Sequence, residues 1–558
     1  MAKIPNPGFL PPELPPGLAT TPNLVKDWRR QQEKIEFGTR PWFLAPSVRI
    51  LMVTDGSGNY GRVKSKGLGD LIDILLDAPY WWVQFGITTA HRMALPDDFT
   101  RVDDAAYPGR AAAAGRPYMA PFPLHANFRF DKPAGDPLSL QNFDQIWLFG
   151  IGASRIGPNL TPAEIAAVTA FMDGGGGVLA MGDHEEIGAN ICSELPRIRH
   201  MRKWKAGGPA GTPPLATGAT RIDTLQPGAN ATYEFNDQQD GVPQPIKPKR
   251  YYDPLRSSKH YRTWYPHPVL CGLDGTIDVL PDHMHEGECV EPATLPAEFP
   301  GGVRPEIIAW GTVLPHQTDN RVTDVPGRDF GIDTGIAPHR DFGILCAFEG
   351  HDARAAVGRI LVDSTWHHWV RVNLLGFLAN PGSTPFRKIK NFYWNVAVWL
   401  APRRLQQRML YTLAHGLNYI SPLDELVPDY PLPVLGSAAR DAVGQRVSRC
   451  TGSEWAFQLM LDAANVPLLQ RAALLQKDTS FVLQPLAEWT LGGMMAASLR
   501  LAAQPIAVQK KAMRGDKLEQ LLREGAVAGL QEGLNAQRDR LHFAAEVLDR
   551  LGSNDTAA

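Results

Sequence analysis

The chain contains 558 residues, of which 44% are hydrophobic and 20% are charged, and its formal net charge at pH 7 is -2. This composition predicts a globular protein of two or three domains, and the near-neutral charge argues against a protein dedicated to nucleic acid. No stretch approaches the roughly 18 consecutive apolar residues that a membrane-spanning helix requires. We therefore expect a small-molecule ligand, and neither nucleic acid nor a membrane as a partner.

The cysteines are widely spaced and include no C-x-x-C pair; they are Cys192, Cys271, Cys289, Cys346 and Cys450. An odd number with this spacing predicts neither a disulfide framework nor a cysteine zinc site. The first residues also lack the apolar segment of a secretory signal. Both features favour a reducing cytoplasm as the location of the protein.

Residues 1–46 are rich in proline, and we predict that they form an arm packed on the surface of the protein. From residue 47 onward, apolar runs of strand length alternate with segments of helical spacing. The run 48–54 predicts a first strand, and 68–76 predicts the helix that follows it. Further strands are predicted at 81–87, 145–150, 177–181, 276–280, 306–310, 343–348 and 358–362.

The clearest helix start is Thr161-Pro162-Ala163-Glu164, a capping box with proline at the first helical position. Strands that are apolar almost throughout and alternate with helices are typical of a mostly parallel sheet with helices on both faces. In such proteins, ligands bind beyond the carboxyl ends of the strands. The sequence therefore predicts an α/β domain over residues 47–385.

Beyond residue 386, glycines become rarer and several segments have the length and period of helices: 403–419, 454–464, 468–476, 483–503 and 517–551. They predict a separate, all-helical C-terminal domain over residues 386–558. Because the segment 483–503 is apolar on more than one side, it needs a partner surface. This domain is therefore a candidate for homo-oligomerisation or for binding a protein partner.

The predicted fourth strand runs directly into the polar residues Asp183, His184, Glu185 and Glu186. Imidazole titrates near neutral pH, so His184 is a candidate general base or metal ligand, with Asp183 or Glu185 orienting its ring. In the alternative interpretation, one carboxylate caps the next helix, predicted over 188–204, and His184 lies in a loop. A cap accounts for one acidic residue and not for four polar ones.

A second polar cluster, Asp363, His367 and His368, follows the last predicted strand. If the two strands are neighbours, their ends lie close together, and His184, His367, His368 and Asp363 become candidate ligands of a divalent metal. His367 is also a candidate base. In the alternative interpretation, the aromatic residues around His367 and His368 pack the core, and backbone groups bond both imidazoles.

Three further segments supply candidate substrate-binding residues: Asp55, Ser57 and Asn59 after the first strand, His283 and His285 in the acidic segment 282–286, and His351 in the segment 349–352. Each segment is also explained as an ordinary turn or surface loop. The basic residues of the predicted helix 188–204 are explained most simply as a solvated face; they are Arg197, Arg199, Arg202 and Lys203.

Two motifs resemble the class I glutamine-amidotransferase-like superfamily, and within it the ThuA-like branch associated with trehalose utilisation. His267-Pro268-Val269-Leu270-Cys271-Gly272-Leu273 is similar to a His-Pro-Ile-x-x-Gly-Leu turn of that branch. Gly358-Arg359-Ile360-Leu361-Val362-Asp363 resembles the strand that precedes the superfamily's histidine position. The resemblance covers about residues 48–380 and implies a flavodoxin-like, amidotransferase-like α/β fold.

The chain departs from the superfamily where the fourth strand ends. The superfamily places a nucleophilic cysteine there, whereas this chain has Met181-Gly182-Asp183-His184-Glu185. Thiol-dependent glutamine hydrolysis is therefore not expected, and Cys192 is better explained as a buried apolar residue. We expect a hydrolase that uses a His/Asp/Glu cluster on an amide, ester or glycan-derived small molecule. The alternative is a non-catalytic protein that binds a ligand or serves as a scaffold.

Overall fold

The computed structural model of the chain describes residues 45–55, 58, 60, 61, 66–93, 125–152, 158–183, 187–204, 241, 243–252, 264–281, 287–313, 340–352, 354–418, 427–464, 480–504, 508, 509, 512 and 517–554. The predicted N-terminal arm up to residue 44 and the predicted helix 468–476 lie outside these residues.

The strands of the described residues are β1 (Ser47–Thr54), β2 (Gln84–His91), β3 (Gln145–Phe149), β4 (Gly177–Met181), β5 (Gln244–Pro245), β6 (Lys247–Pro248), β7 (Arg250–Tyr252), β8 (Trp264–Pro266), β9 (Cys271–Gly272), β10 (Gly275–Thr276), β11 (Val279–Leu280), β12 (Glu306–Val313), β13 (Arg340–Phe348) and β14 (Ile360–Asp363). The helices are α1 (Gly69–Leu76), α2 (Pro162–Asp173), α3 (Ala189–Cys192), α4 (Arg371–Ala379), α5 (Thr384–Trp399), α6 (Arg403–Leu417), α7 (Leu432–Val447), α8 (Arg449–Ala464), α9 (Ser480–Ala502) and α10 (Lys517–Asn554).

Eight strands form one sheet in the order β2-β1-β3-β4-β14-β13-β12-β6. The first five are mutually parallel. The last three pair in antiparallel fashion, beginning with β13 against β14. The expected α/β class with a mostly parallel sheet is confirmed. Because β4 and β14 are neighbours, the two polar clusters of the sequence lie at the same edge of the sheet.

Side chains alternate between the two faces of the sheet, so each strand contributes to two hydrophobic cores. Ile50, Met52 and Trp147 belong to one core, which also contains residues of α1, α4 and α5. Leu51 and Val53 belong to the other, which contains residues of α2 and α3. Helices therefore cover both faces, which explains why these strands are apolar at nearly every position.

The predicted capping box begins α2 as expected. The Glu164 amide donates to Thr161 Oγ1 at 3.3 Å, and the Thr161 amide donates to Glu164 Oε2 at 3.0 Å. Glu164 also forms a buried ion pair with Arg92, which follows β2. The N-terminus of α2 is therefore tied to the end of a strand.

The prediction of one helix over residues 188–204 is wrong. Only α3 and a short 3-10 turn at Ile198–His200 form there. Pro196 lies between them, and Arg197 has a φ of 68°, which interrupts a right-handed helix. Arg197 and Arg202 are buried, with 2% and 0% of their surfaces exposed, so these two residues do not belong to a solvated face.

The C-terminal region is helical, as expected, and its helices share the core of the first sheet face. The Trp394 indole donates to the Ile74 carbonyl at 2.7 Å, and Gln145 Nε2 donates to the Ala397 carbonyl at 2.5 Å. Helix α9 then packs against α7 and α10. No helix within the described residues is long and apolar enough to cross a membrane.

The expectation that no disulfide would form is wrong for one pair of cysteines. Cys271 in β9 and Cys450 in α8 are joined by a disulfide bond, with their Cα atoms 6.1 Å apart. These residues are 179 positions apart in sequence, so their proximity depends on the packing of the helical region against the β9–β10 hairpin. Cys192, Cys289 and Cys346 are free and buried.

Alkylation of the cysteines tests this pairing. In protein purified without a reducing agent and then denatured, we expect a thiol reagent to modify only Cys192, Cys289 and Cys346, because Cys271 and Cys450 hold no free thiol. Reduction before alkylation should add the other two. Peptide mass spectrometry measures both patterns, and modification of Cys271 or Cys450 without reduction would contradict the disulfide bond.

A second prediction concerns Arg359, at the start of β14, which joins the sheet to α8. Its side chain is 1% exposed and forms ion pairs with Glu349, at 2.7 Å, and with Glu454. Arg359→Met leaves two carboxylates without their cation, so we expect the free energy of unfolding to fall by about 2–3 kcal/mol.

Urea denaturation measures this loss, and Arg354→Met is the matched control. Arg354 is 45% exposed and pairs with Asp352 in a surface turn, so its replacement should change stability by less than about 0.5 kcal/mol. Equal losses in the two variants would show that Arg359 does not connect the sheet to the helical region.

Candidate active site

The carboxyl edge of the parallel strands brings together polar residues from four strand ends: Asp55 after β1, His91 in β2, Asp183 after β4 and Asp363 in β14. All four are fully buried. Other candidate residues lie outside the described part of the chain; they are Ser57, Asn59, His184, Glu185, His283 and His285.

The central contact of this edge joins His367 to Asp183. His367 Nε2 lies 3.3 Å from Asp183 Oδ2, and neither side chain exposes more than 1% of its surface. The other ring nitrogen, Nδ1, lies 3.3 Å from Asn373 Oδ1 in the first turn of α4. The Trp366 ring stacks on the imidazole with the centroids 3.8 Å apart. The imidazole is therefore held on both nitrogens and on one face.

The number of protons on the His367 ring decides the character of this contact. With Asn373 Oδ1 facing the ring, Nδ1 donates to the amide oxygen. The neutral ring then has its lone pair on Nε2, and a second proton on Nε2 makes it an imidazolium that forms an ion pair with the Asp183 carboxylate. Nε2 is therefore the ring atom at which a proton is gained or lost, so the pair is suited to acid–base chemistry there.

Asp363 and His368 form a second buried pair with a different geometry. Asp363 accepts hydrogen bonds from His368 Nδ1 at 2.9 Å, Trp369 Nε1 at 2.8 Å and the Thr365 amide at 3.2 Å. Donors on both carboxylate oxygens leave the group poorly placed to bind a cation. The role of His368 and Asp363 here is to fix the segment that carries His367.

The expected metal site is not supported by the described residues. Among them, no group of three or more His, Cys, Asp or Glu side chains could hold a metal ion. The physical reason is the pairing just described: Asp363 is bonded to His368 and Trp369, while His367 faces Asp183. His367, His368 and Asp363 therefore do not converge as a ligand set, and the fourth predicted ligand, His184, lies outside the described residues.

Arg202 is the buried cation of this edge, and the sequence prediction missed its role. Its guanidinium donates to the Asp183 carbonyl and, at 3.0 Å, to the Ser364 carbonyl, so it bridges the ends of β4 and β14. Burial lowers the pKa of Arg202, and the neighbouring carboxylates Asp183 and Asp363 act in the opposite direction. Little in the sequence indicates that Arg202 is buried, because the segment around it is predicted to be a helix whose basic residues face solvent.

Asp55 and Cys192 also lie near this edge. Asp55 Oδ2 accepts the Gly152 amide at 2.6 Å, which joins the loops that follow β1 and β3. Cys192 is fully buried, as expected, and burial raises the pKa of its thiol to about 12. A thiol that remains protonated at neutral pH is a poor nucleophile, so thiolate chemistry at Cys192 is not supported.

His351 lies at the opposite edge of the sheet. It follows β13, whose last residue pairs with the first residue of the antiparallel β14. Burial and the nearby Arg359 and Arg403 hold the pKa of His351 well below its ordinary value. The structure therefore separates His351 from the Asp183–His367 pair.

The buried histidines make stability depend on pH. Burial lowers the pKa of His91 from 6.5 to about 4, and the pKa of His415 is lowered to about 4 by the same cause. Between these values the unfolded chain binds protons that the folded chain excludes, so the free energy of unfolding should fall as pH falls from about 6.5 to 4. In the variant His91→Gln, the fall in the free energy of unfolding on acidification should be smaller by roughly 3 kcal/mol.

Urea denaturation of wild type and His91→Gln across that pH range measures the effect. His542, at an exposed position of α10, provides the control variant His542→Gln, whose pH dependence should match wild type. The prediction fails if His91→Gln and wild type lose stability equally on acidification.

In comparisons with family models, with curated proteins and with solved structures, none matched the chain. The resemblance to the ThuA-like branch therefore stays a prediction from sequence motifs. The geometry of the Asp183–His367 pair is the observation from which a function can be proposed.

Proposed function

We propose that the chain is a hydrolase in which His367 and Asp183 carry out acid–base catalysis on an amide, ester or glycan-derived small molecule. The observation that carries this proposal is the 3.3 Å contact between His367 Nε2 and Asp183 Oδ2. It joins the ends of two neighbouring parallel strands, the edge where α/β proteins bind their ligands.

The chemistry assigned to the pair is proton transfer at one atom. A neutral His367 that donates from Nδ1 to Asn373 can take a proton from water at Nε2, and the resulting imidazolium is stabilised by Asp183. Asn373 and the stacked Trp366 keep the ring oriented during the transfer. Water is the nucleophile, and the imidazolium then gives its Nε2 proton to the leaving group. No step depends on a thiol.

The strand order supports the finer fold assignment within this proposal. The five parallel strands follow the order β2-β1-β3-β4-β14, which is the 2-1-3-4-5 order of flavodoxin-like sheets. In that topology, the crevice for ligands opens where the strand order reverses, between β1 and β3. Asp55 and Gly152 lie at that point. We propose an amidotransferase-like fold whose strand-end cysteine is replaced by an acid–imidazole pair.

A second function is favoured by the burial of the pair. Asp183 and His367 both have 0% of their surfaces exposed, and substrate would need access that this conformation does not provide. A non-catalytic protein, in which the pair stabilises the sheet edge and the body binds a ligand or serves as a scaffold, also fits this geometry.

Activity measurements on variants separate the two functions. Wild type is assayed against p-nitrophenyl esters, anilides and glycosides. We expect turnover of one class and a loss of at least about 100-fold in kcat for His367→Ala and Asp183→Asn, because each removes the proton relay.

His415→Ala is the matched control, because His415 is a buried histidine in the helical region, bonded to Ser498 at 3.0 Å. It should lose stability without losing kcat, and thermal denaturation of all variants detects unfolding. Undiminished kcat in His367→Ala would contradict the assignment of the site. Absence of turnover by wild type on every class would favour the scaffold.

A further inference from the structure

A cleft of about 750 Å³ lies away from the sheet edge, between the short strands β7, β8, β9 and β10 and the helical region. One wall is formed by β7, β8 and the β9–β10 hairpin, and the other by the end of α7 and the start of α8. Its polar and aromatic lining includes Arg250, Trp264, Thr276, Asp441, Gln445 and Arg449. Its volume lies within the range of roughly 300–1,000 Å³ that is typical of small-molecule sites.

Two guanidinium groups give the cleft its charge. Arg250 extends from the strand wall, and Thr276 Oγ1 accepts its Nη1 at 3.1 Å, which orients the group. Arg449 extends from the first residue of α8 on the opposite wall. Among the described lining residues, the one carboxylate is Asp441, which lies 3.6 Å from Arg440. Two cations and one carboxylate that already has a partner favour an anionic ligand, since guanidinium groups bind carboxylate and phosphate in bidentate fashion.

An exposed indole supplies a flat surface in the same cleft. Trp264 is 52% exposed, the most exposed tryptophan among the large exposed hydrophobic residues of the described chain. The Tyr252 ring supports it edge to face, with the centroids 5.7 Å apart. Exposing so much indole to water is unfavourable, and a planar or apolar ring stacked on it would relieve that cost.

The disulfide bond connects the two walls. Cys271 lines the cleft and belongs to the strand wall, while Cys450 follows Arg449 directly in α8. Arg250 and Arg449 lie on opposite walls, so their separation depends on how the walls are held together. The disulfide bond provides a covalent connection for this purpose.

We propose that this cleft is a second binding site, for a small anion that carries a flat ring, and that the Cys271–Cys450 disulfide holds its two walls at the binding separation. The ring stacks on Trp264, and the anionic group lies between Arg250 and Arg449. Gln445 and Thr276 supply hydrogen bonds to further polar groups of the ligand.

Isothermal titration calorimetry on the full chain tests the site with defined probes. A nucleoside monophosphate and benzoate each combine a flat ring with an anion, whereas inorganic phosphate and the uncharged nucleoside supply only one of the two features. We expect one ring-bearing anion to bind at least about tenfold more tightly than phosphate or the uncharged nucleoside. The probe that binds identifies the source of the ring. If no ring-bearing anion binds below about 10 mM, the proposal is overturned.

Variants locate the binding. Trp264→Ala and Arg449→Gln should each weaken the bound probe by about tenfold or more, whereas Arg446→Gln, an exposed arginine of α7 outside the cleft, should leave affinity unchanged. The double variant Cys271→Ser, Cys450→Ser should weaken binding with its thermal transition still cooperative. Wild-type affinity in Trp264→Ala and Arg449→Gln overturns the site, and wild-type affinity in the double serine variant overturns the role of the disulfide.

Discussion

A single buried guanidinium bridges the segments that follow strands β4 and β14. Arg202 donates to the carbonyls of Asp183 and Ser364, the residues that leave these two strands. A fully buried cation is unfavourable unless hydrogen bonds and opposite charges compensate for its lost hydration. The nearby carboxylates of Asp183 and Asp363 supply that charge. Asp183 supplies one of the bridged carbonyls and His367 follows Ser364 by three residues, so the bridge lies beside the 3.3 Å contact between Asp183 and His367.

The helical region contributes to the site through the packing of α5 against the sheet. The Tyr393 hydroxyl in α5 donates to the His368 carbonyl. The Trp369 ring packs between Trp147 of β3 and Tyr393, with centroid distances of 5.7 and 5.1 Å. The segment that carries His367 is thus held between the sheet on one side and α5 on the other. The boundary predicted at residue 385 stays a prediction, and one hydrophobic core continues across it.

The two candidate sites of the molecule differ in their physical character. At the sheet edge, buried groups are paired with one another, so the chemistry available is proton transfer at His367 Nε2. In the cleft beside the disulfide, Trp264, Arg250 and Arg449 are exposed to water, so the chemistry available is the binding of a ligand. One chain can hold both because the strand ends and the β7–β10 hairpins belong to different parts of the fold.

Much of the architecture could be predicted because local patterns determine it. The runs that became β1, β3 and β4 are apolar at nearly every position, and the capping box places the start of α2 correctly. Strand β2 was placed too early, at 81–87, because its second half contains Thr88, Thr89 and His91, which are polar but pair in register with β1. Helix α7 is not predicted by the sequence pattern because it contains one proline and two glycines.

The sequence predicted where in the fold the candidate site lies, but only some of the residues that form it. The sequence by itself determined that Asp183 and His367 follow strand ends, because the change from apolar to polar residues is local. Only the tertiary structure decided that Asn373 orients His367, that Arg202 is a buried bridge, that Asp363 is bonded to His368 and Trp369, and that Cys271 meets Cys450. These contacts join residues through the order of strands and the packing of helices. No short segment of the sequence specifies that strand order or that helix packing.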